Sequence, residues 1–165
     1  MDALTLLRQQ AETANNLMTQ VFANVTAEQA LWQLAGATTN PIAATFLHVY
    51  HSEDRMVHRN LGGRPTIFDQ GGWQERLGYD PASPWTSSAR PDLDAYRAYA
   101  AEVSAVTRAY LSGLDPDALT REVDTPRGPQ PLANRLSILL VAHKLTHLGE
   151  ISALLGCQGA KGFPF

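Results

Sequence analysis

Apolar residues recur every three or four positions over four long stretches of this chain, a period that belongs to amphipathic helices. Leu4, Leu7, Ala11, Ala14, Met18 and Val21 or Phe22 share one face of a helix predicted from about Asp2 to Ala23. Thr26-Ala27-Glu28-Gln29 reads as a capping box, in which each polar side chain satisfies a backbone N–H that the helix start leaves free. It opens a short helix that carries Leu31, Trp32 and Leu34 and ends near Gly36. Asn40-Pro41 is a second start signal: asparagine caps free N–H groups, and proline fits the first helical position because it has no N–H to lose. The helix runs from Pro41 to about Leu61, where Gly62-Gly63 ends it. Pro91-Asp92 starts the third long helix, to Leu111 or Ser112, with Leu93, Tyr96, Ala100, Val103 and Tyr110 in period and Gly113 beyond. The last runs from about Leu132 to Leu155 and stops at Gly156, before a tail, GCQGAKGFPF, too rich in Gly and Pro to be helical.

The connections add little regular structure. Between Gly62 and Arg90 the chain is rich in Gly, Pro and Ser. A structureless loop of that size is unusual in a compact domain, so it is expected to wrap the helices, with a helical piece at Trp73–Leu77 and Trp85 packed onto a helix. Leu114–Leu119 looks like a short capped turn and Thr125–Pro131 like a loop. No convincing alternating strand appears, and a short pair around Val123 is not counted on. Four long helices give an all-α bundle, read as a single domain over residues 1–165.

The bulk numbers narrow the function classes. A hydrophobic fraction of 44% and a charged fraction of 18% are globular rather than disordered. The net charge is -3 and no Lys/Arg cluster appears, so nucleic acid is not an expected partner. The apolar run Leu136–Ala142 is flanked by Asn134, Arg135, His143 and Lys144, and no such run reaches the roughly 18 residues of a membrane span. The opening MDALTLLRQQ has no basic segment ahead of an apolar core, and the single cysteine, Cys157, excludes an internal disulfide. A cytoplasmic protein is the expectation.

Histidines carry the chemistry. His48, His51 and His58 fall on the second long helix and His143 and His147 on the last. Residues four apart stack on one helix face, so His143-x-x-x-His147 can aim both imidazoles at one ion. Leu136, Leu139 or Leu140, Ile151 and Leu154 approach the same face, where a histidine needs a partner. Position 144 is Lys, so the glutamate base of a His-Glu-x-x-His metalloprotease is missing. A third ligand is expected from another helix. By spacing, His48 and His51 both qualify, while His58, beside Arg55 and Arg59, reads as solvent-exposed. Cys157 reads as a small apolar group at the helix end, and Ser52 and Thr146 lack a nucleophile's partners.

Two segments, ATTNPIAATFLHVYHSEDRMVHRNLGGRP and LVAHKLTHLGEISALLGCQGAKGFPF, resemble the DinB-like (YfiT-like) superfamily of metalloenzymes. The first resembles a pattern of ligand histidine followed five residues later by an acidic residue, here His48 and Glu53. The second resembles His-x-x-x-His-x-Gly-Glu-Ile, here His143, His147, Gly149, Glu150 and Ile151; Trp32 also matches a recurrent tryptophan. The resemblance implies a four-helix bundle with a long crossover connection, often a homodimer, and one divalent metal ion on His48, His143 and His147. Glu53 and Glu150 are expected to orient ligand histidines. Imidazole suits zinc, nickel, iron and copper, with zinc or nickel placed first. Three neutral ligands leave a coordination position open, as in catalytic sites. The resemblance further implies a metal-dependent enzyme on a small-molecule substrate, such as an S-transferase of a low-molecular-weight thiol like bacillithiol or mycothiol. The alternatives are a metal-dependent hydrolase and a non-catalytic metal-binding or oligomerisation protein.

Overall fold

A computed structural model describes residues 1–80, 82–83, 85, 91–125 and 127–163. The parts of the Gly62–Arg90 connection at 81, 84 and 86–90, and the last two tail residues, lie outside them. Helix α1 spans Ala3–Ala23 and is capped by Asp2, whose carboxylate accepts from Thr5 N–H at 2.8 Å. The capping box at Thr26 forms with both bonds and opens α2, Ala27–Leu31. That helix is shorter than expected: Trp32 is already extended and Leu34 lies outside it, exposed.

The second long helix comprises α3, Ile42–Asp54, and a π-helical stretch, Arg55–Leu61. Pro41 occupies the cap position rather than the first helical one, and no side chain caps this start, so the asparagine cap expected from Asn40 is not formed. The crossover carries α4, Ile67–Gln70, and α5, Trp73–Leu77, the latter as expected. Asp54 docks it. This wholly buried carboxylate accepts from the N–H groups of Ile67 and Phe68, both at 3.0 Å, and from the Tyr99 hydroxyl at 2.8 Å. A buried carboxylate without such donors would be costly.

Helix α6 spans Leu93–Ser112 behind an Asp92 cap. A 3-10 turn follows at Pro116–Thr120. Two-residue strands β1, Glu122–Val123, and β2, Gln130–Pro131, then pair antiparallel, so the pair around Val123 does exist, and its second strand takes the end of the predicted loop. The last long helix is continuous: α7, Leu132–Ser137, a π-helical stretch, Ile138–His143, and α8, Lys144–Cys157. Gly156 does not stop it, and Cys157 is exposed rather than buried. As one unit, Leu132–Cys157 is long and apolar enough to cross a membrane by length and composition, but α8 packs along α1 and α3.

The four long helices form a ring. Helix α1 packs on α6 and α8, and α3 packs on the same two. Helices α1 and α3 therefore face each other across the diagonal, where Phe22 stacks on Phe46. The apolar interior divides into two clusters along the bundle axis. One holds Met18, Phe22, Phe46, Tyr50, Tyr99 and Ile151, the other Leu4, Leu7, Val57, Leu111, Leu136 and Leu140. Between them every helix contributes polar side chains: Asn15 from α1, Glu53 from α3, Ser104 and Thr107 from α6, and Lys144 from α8, all buried.

Candidate metal centre

His48 of α3 and His143 and His147 at the start of the final α-helical run lie where the two helices pack. One ring nitrogen from each lies within 4.8 Å of the others, and all three residues are half-buried. The Nε2 atoms of His48 and His143 are 3.2 Å apart. Two nitrogens each about 2.0–2.1 Å from a tetrahedral zinc ion sit roughly 3.3 Å apart, so this edge of the triangle already has metal-site dimensions. The His143 and His147 rings stand at 90° with centroids 4.6 Å apart, as their spacing of four allows.

His147 Nδ1 lies 2.9 Å from a Glu150 carboxylate oxygen. A carboxylate beside Nδ1 is the usual arrangement behind a ligand histidine, where it orients the ring and leaves Nε2 to face the ion. His143 Nδ1 is buried with no hydrogen-bond partner among the described residues. Burial pushes the His48 and His143 imidazoles down to about 4, and the positive charge a protonated His147 would carry adds to both. At neutral pH both are therefore uncharged, as metal ligands must be. Trp85 closes one flank: its ring centroid lies 4.3 Å from that of His48 and 6.2 Å from that of His147, while 39% of the residue stays exposed.

The other expected residues are distributed differently. His51 is not part of the group. It is buried under the crossover, edge-on to Phe68 and Tyr79 at 5.0 and 5.2 Å between centroids. Packing thus groups His48, and not His51, with His143 and His147. His58 is not solvent-exposed as expected: its side chain is 11% exposed and its Nδ1 lies 3.2 Å from Asp54. Two carboxylates were expected beside ligand histidines, and only Glu150 is in hydrogen-bond contact with one. Glu53 instead accepts from the Thr107 hydroxyl at 2.7 Å and pairs with Lys144 Nζ at 2.6 Å.

Lys144 is a structural element that its place in the sequence did not announce. It lies between the two histidines in sequence, yet it points into the bundle and is 2% exposed. Its ammonium also donates to Asn15 Oδ1 at 3.1 Å and lies over the Tyr50 ring. A signal was available: Leu140, Lys144 and Leu148 are four apart, so a lysine on their face is directed at the core. Trp85 packs onto a helix as expected, against His48 of α3, but its place beside the histidines had no signal because it depends on the path of the crossover.

The donor set fits one divalent transition metal ion. Three imidazoles converge, two of them held neutral and one carrying a carboxylate behind it, with no carboxylate or thiolate in the group itself.

The sequence profile of the DinB superfamily matches residues 10–151. Among solved structures, the chain is similar to the one described as the crystal structure of the conserved protein of locus from Enterococcus faecalis. The TM-score is 0.76 and the identity 16%, over 93% of this chain and 95% of that one. At that identity the likeness speaks for the fold alone, an all-α bundle of this kind. No curated protein sequence matches the chain.

Proposed function

Because this chain belongs to the DinB superfamily, we propose that it holds one divalent transition metal ion on His48, His143 and His147 and transfers a low-molecular-weight thiol to or from a small molecule. The observation that carries the first half is the convergence of three half-buried imidazoles from two helices. The second half rests on the chemistry of that donor set. When bound, such an ion supplies a doubly positive Lewis acid with room for an anionic ligand, and a thiol, with an unperturbed pKa near 8.5, needs only slight acidification to become one.

The chain's own residues divide the remaining work. Glu150 orients His147 through its contact with Nδ1. His48 and His143 stay neutral through burial. Lys144 is turned away and tied to Glu53, so it serves neither as base nor as counter-ion at the centre. Glu150, with its side chain 30% exposed, is the carboxylate placed to accept a proton there. Trp85 offers the substrate an aromatic wall beside His48.

On this proposal the protein works as a homodimer in the cytoplasm. The outer face of the last helix carries exposed Ile138 and Leu145 with small residues Ala142, Gly149 and Ala153 between and beyond them. A second copy seated there would bury more than roughly 1,000 Å² if the dimer is stable. Light scattering at micromolar concentration tests it, and a monomer contradicts it.

Titration of cobalt-substituted protein with bacillithiol, mycothiol and glutathione tests the function. A sulfur-to-metal charge-transfer band that saturates with one thiol is the expected result. If none of the three gives the band while cobalt stays bound, direct thiol ligation is wrong, and hydrolysis or metal binding without catalysis becomes the better reading.

A further inference from the structure

The buried polar layer in the middle of the bundle backs onto a cavity that opens at the surface. This cavity, of about 630 Å³, enters between α1 and α6. In the helix ring this side lies opposite the α3–α8 face that carries the histidines, and none of the three lines the cavity. Its volume falls in the range of small-molecule sites, which are mostly apolar with a few placed polar groups. Ala11, Leu111 and Leu140 supply apolar wall, and Glu53 and Lys144 reach it from the far helices.

Charge and hydrogen bonding define what fits. Glu53 and Lys144 neutralise one another at 2.6 Å. The lysine also donates to Asn15, so it is held inside the bundle by partners of its own. Nearer the surface the lining carries Arg8, Arg108 and Glu12, two cations against one anion. Arg8 is fixed in place: its Nε and Nη2 donate to the Leu111 carbonyl at 3.0 and 2.6 Å. Its Nη1 takes no part in those bonds. Arg108 is 53% exposed and only loosely paired with Glu12, at 3.8 Å.

We infer that this cavity is a second ligand site, distinct from the metal centre, for a small organic monoanion with an apolar body. The anionic head lies at the rim near Arg8 and Arg108, and the body lies against Ala11, Leu111 and Leu140. The inference does not depend on the metal chemistry proposed above.

Isothermal titration of the full-length, metal-loaded protein with octanoate tests it, with octan-1-ol and octylamine as neutral and cationic controls. Octanoate should bind saturably, one per chain, and more tightly than either control. Arg108→Gln, a change at an exposed position, should weaken octanoate about two- to fivefold. His147→Ala should leave octanoate binding unchanged, because a carboxylate captured by the metal would be lost in that variant. The site assignment is overturned by absence of octanoate binding at millimolar concentration, by octan-1-ol binding as tightly, by an unaffected Arg108→Gln, or by loss of binding in His147→Ala.

Discussion

Replacing Lys144 with methionine removes one partner of an ion pair whose members are both 2% exposed. Methionine nearly preserves the volume and extends the apolar row of Leu140 and Leu148, so packing changes little. What remains is a Glu53 carboxylate whose described contacts reduce to the Thr107 hydroxyl, in a layer enclosed by two apolar clusters. Breaking a buried pair in this way costs about 3–5 kcal/mol. For a chain of this size that corresponds to a fall in Tm of roughly 6–20 °C. Asn15 loses one of its donors as well, but still accepts from the Tyr50 hydroxyl at 3.1 Å. The double change Lys144→Met with Glu53→Gln removes both charges, and replacing a whole buried pair is often neutral, so the double variant should regain most of the loss. Urea unfolding of metal-free protein at neutral pH, followed by circular dichroism, reads the wild type and both variants. A cost below about 1 kcal/mol for Lys144→Met, the range of exposed pairs, would refute the reasoning. So would a double variant less stable than Lys144→Met alone.

Other outcomes follow from the same geometry. Glu150→Gln should weaken metal affinity about 10- to 100-fold while leaving the helical spectrum intact, measured by competition with a chromophoric chelator; unchanged affinity would remove Glu150 from the site. Metal-free protein should lose stability as pH falls from about 6.5 towards 4. Burial holds His48, His51 and His143 down to about 4 in the folded state, so over that interval the unfolded chain binds more protons, and stability present above 6.5 drains away on acidification. Urea midpoints across that range check it, and a flat profile would contradict the burial of these rings.

Two of the four long helices were legible from their starts, where Asp2 and Asp92 cap them through bonds within a few residues, as Thr26 caps the short α2. The other two start without a side-chain cap and were legible by their apolar period. The His143–His147 pair was legible for the same reason, as a spacing of four fixes a shared face whatever surrounds it. Contacts that close through space were not. Asp54 looks like any helical aspartate until the crossover returns Ile67 and Phe68 to it, and His58 is drawn in beside it. Glu53 could equally have faced a histidine, and its partner is set by the packing of α3 against α8. The π-helical stretches at Arg55–Leu61 and Ile138–His143 had no sequence mark, because their wide turns answer to tertiary packing more than to local propensity.

The central claim is that His48, His143 and His147 hold one metal ion, and elemental analysis of reconstituted wild type and of single alanine variants tests it most directly. Wild type and His51→Ala should each carry one ion per chain. His48→Ala, His143→Ala and His147→Ala should lose it while keeping a helical spectrum. A His48→Ala or His147→Ala protein that holds as much metal as wild type would contradict the assignment.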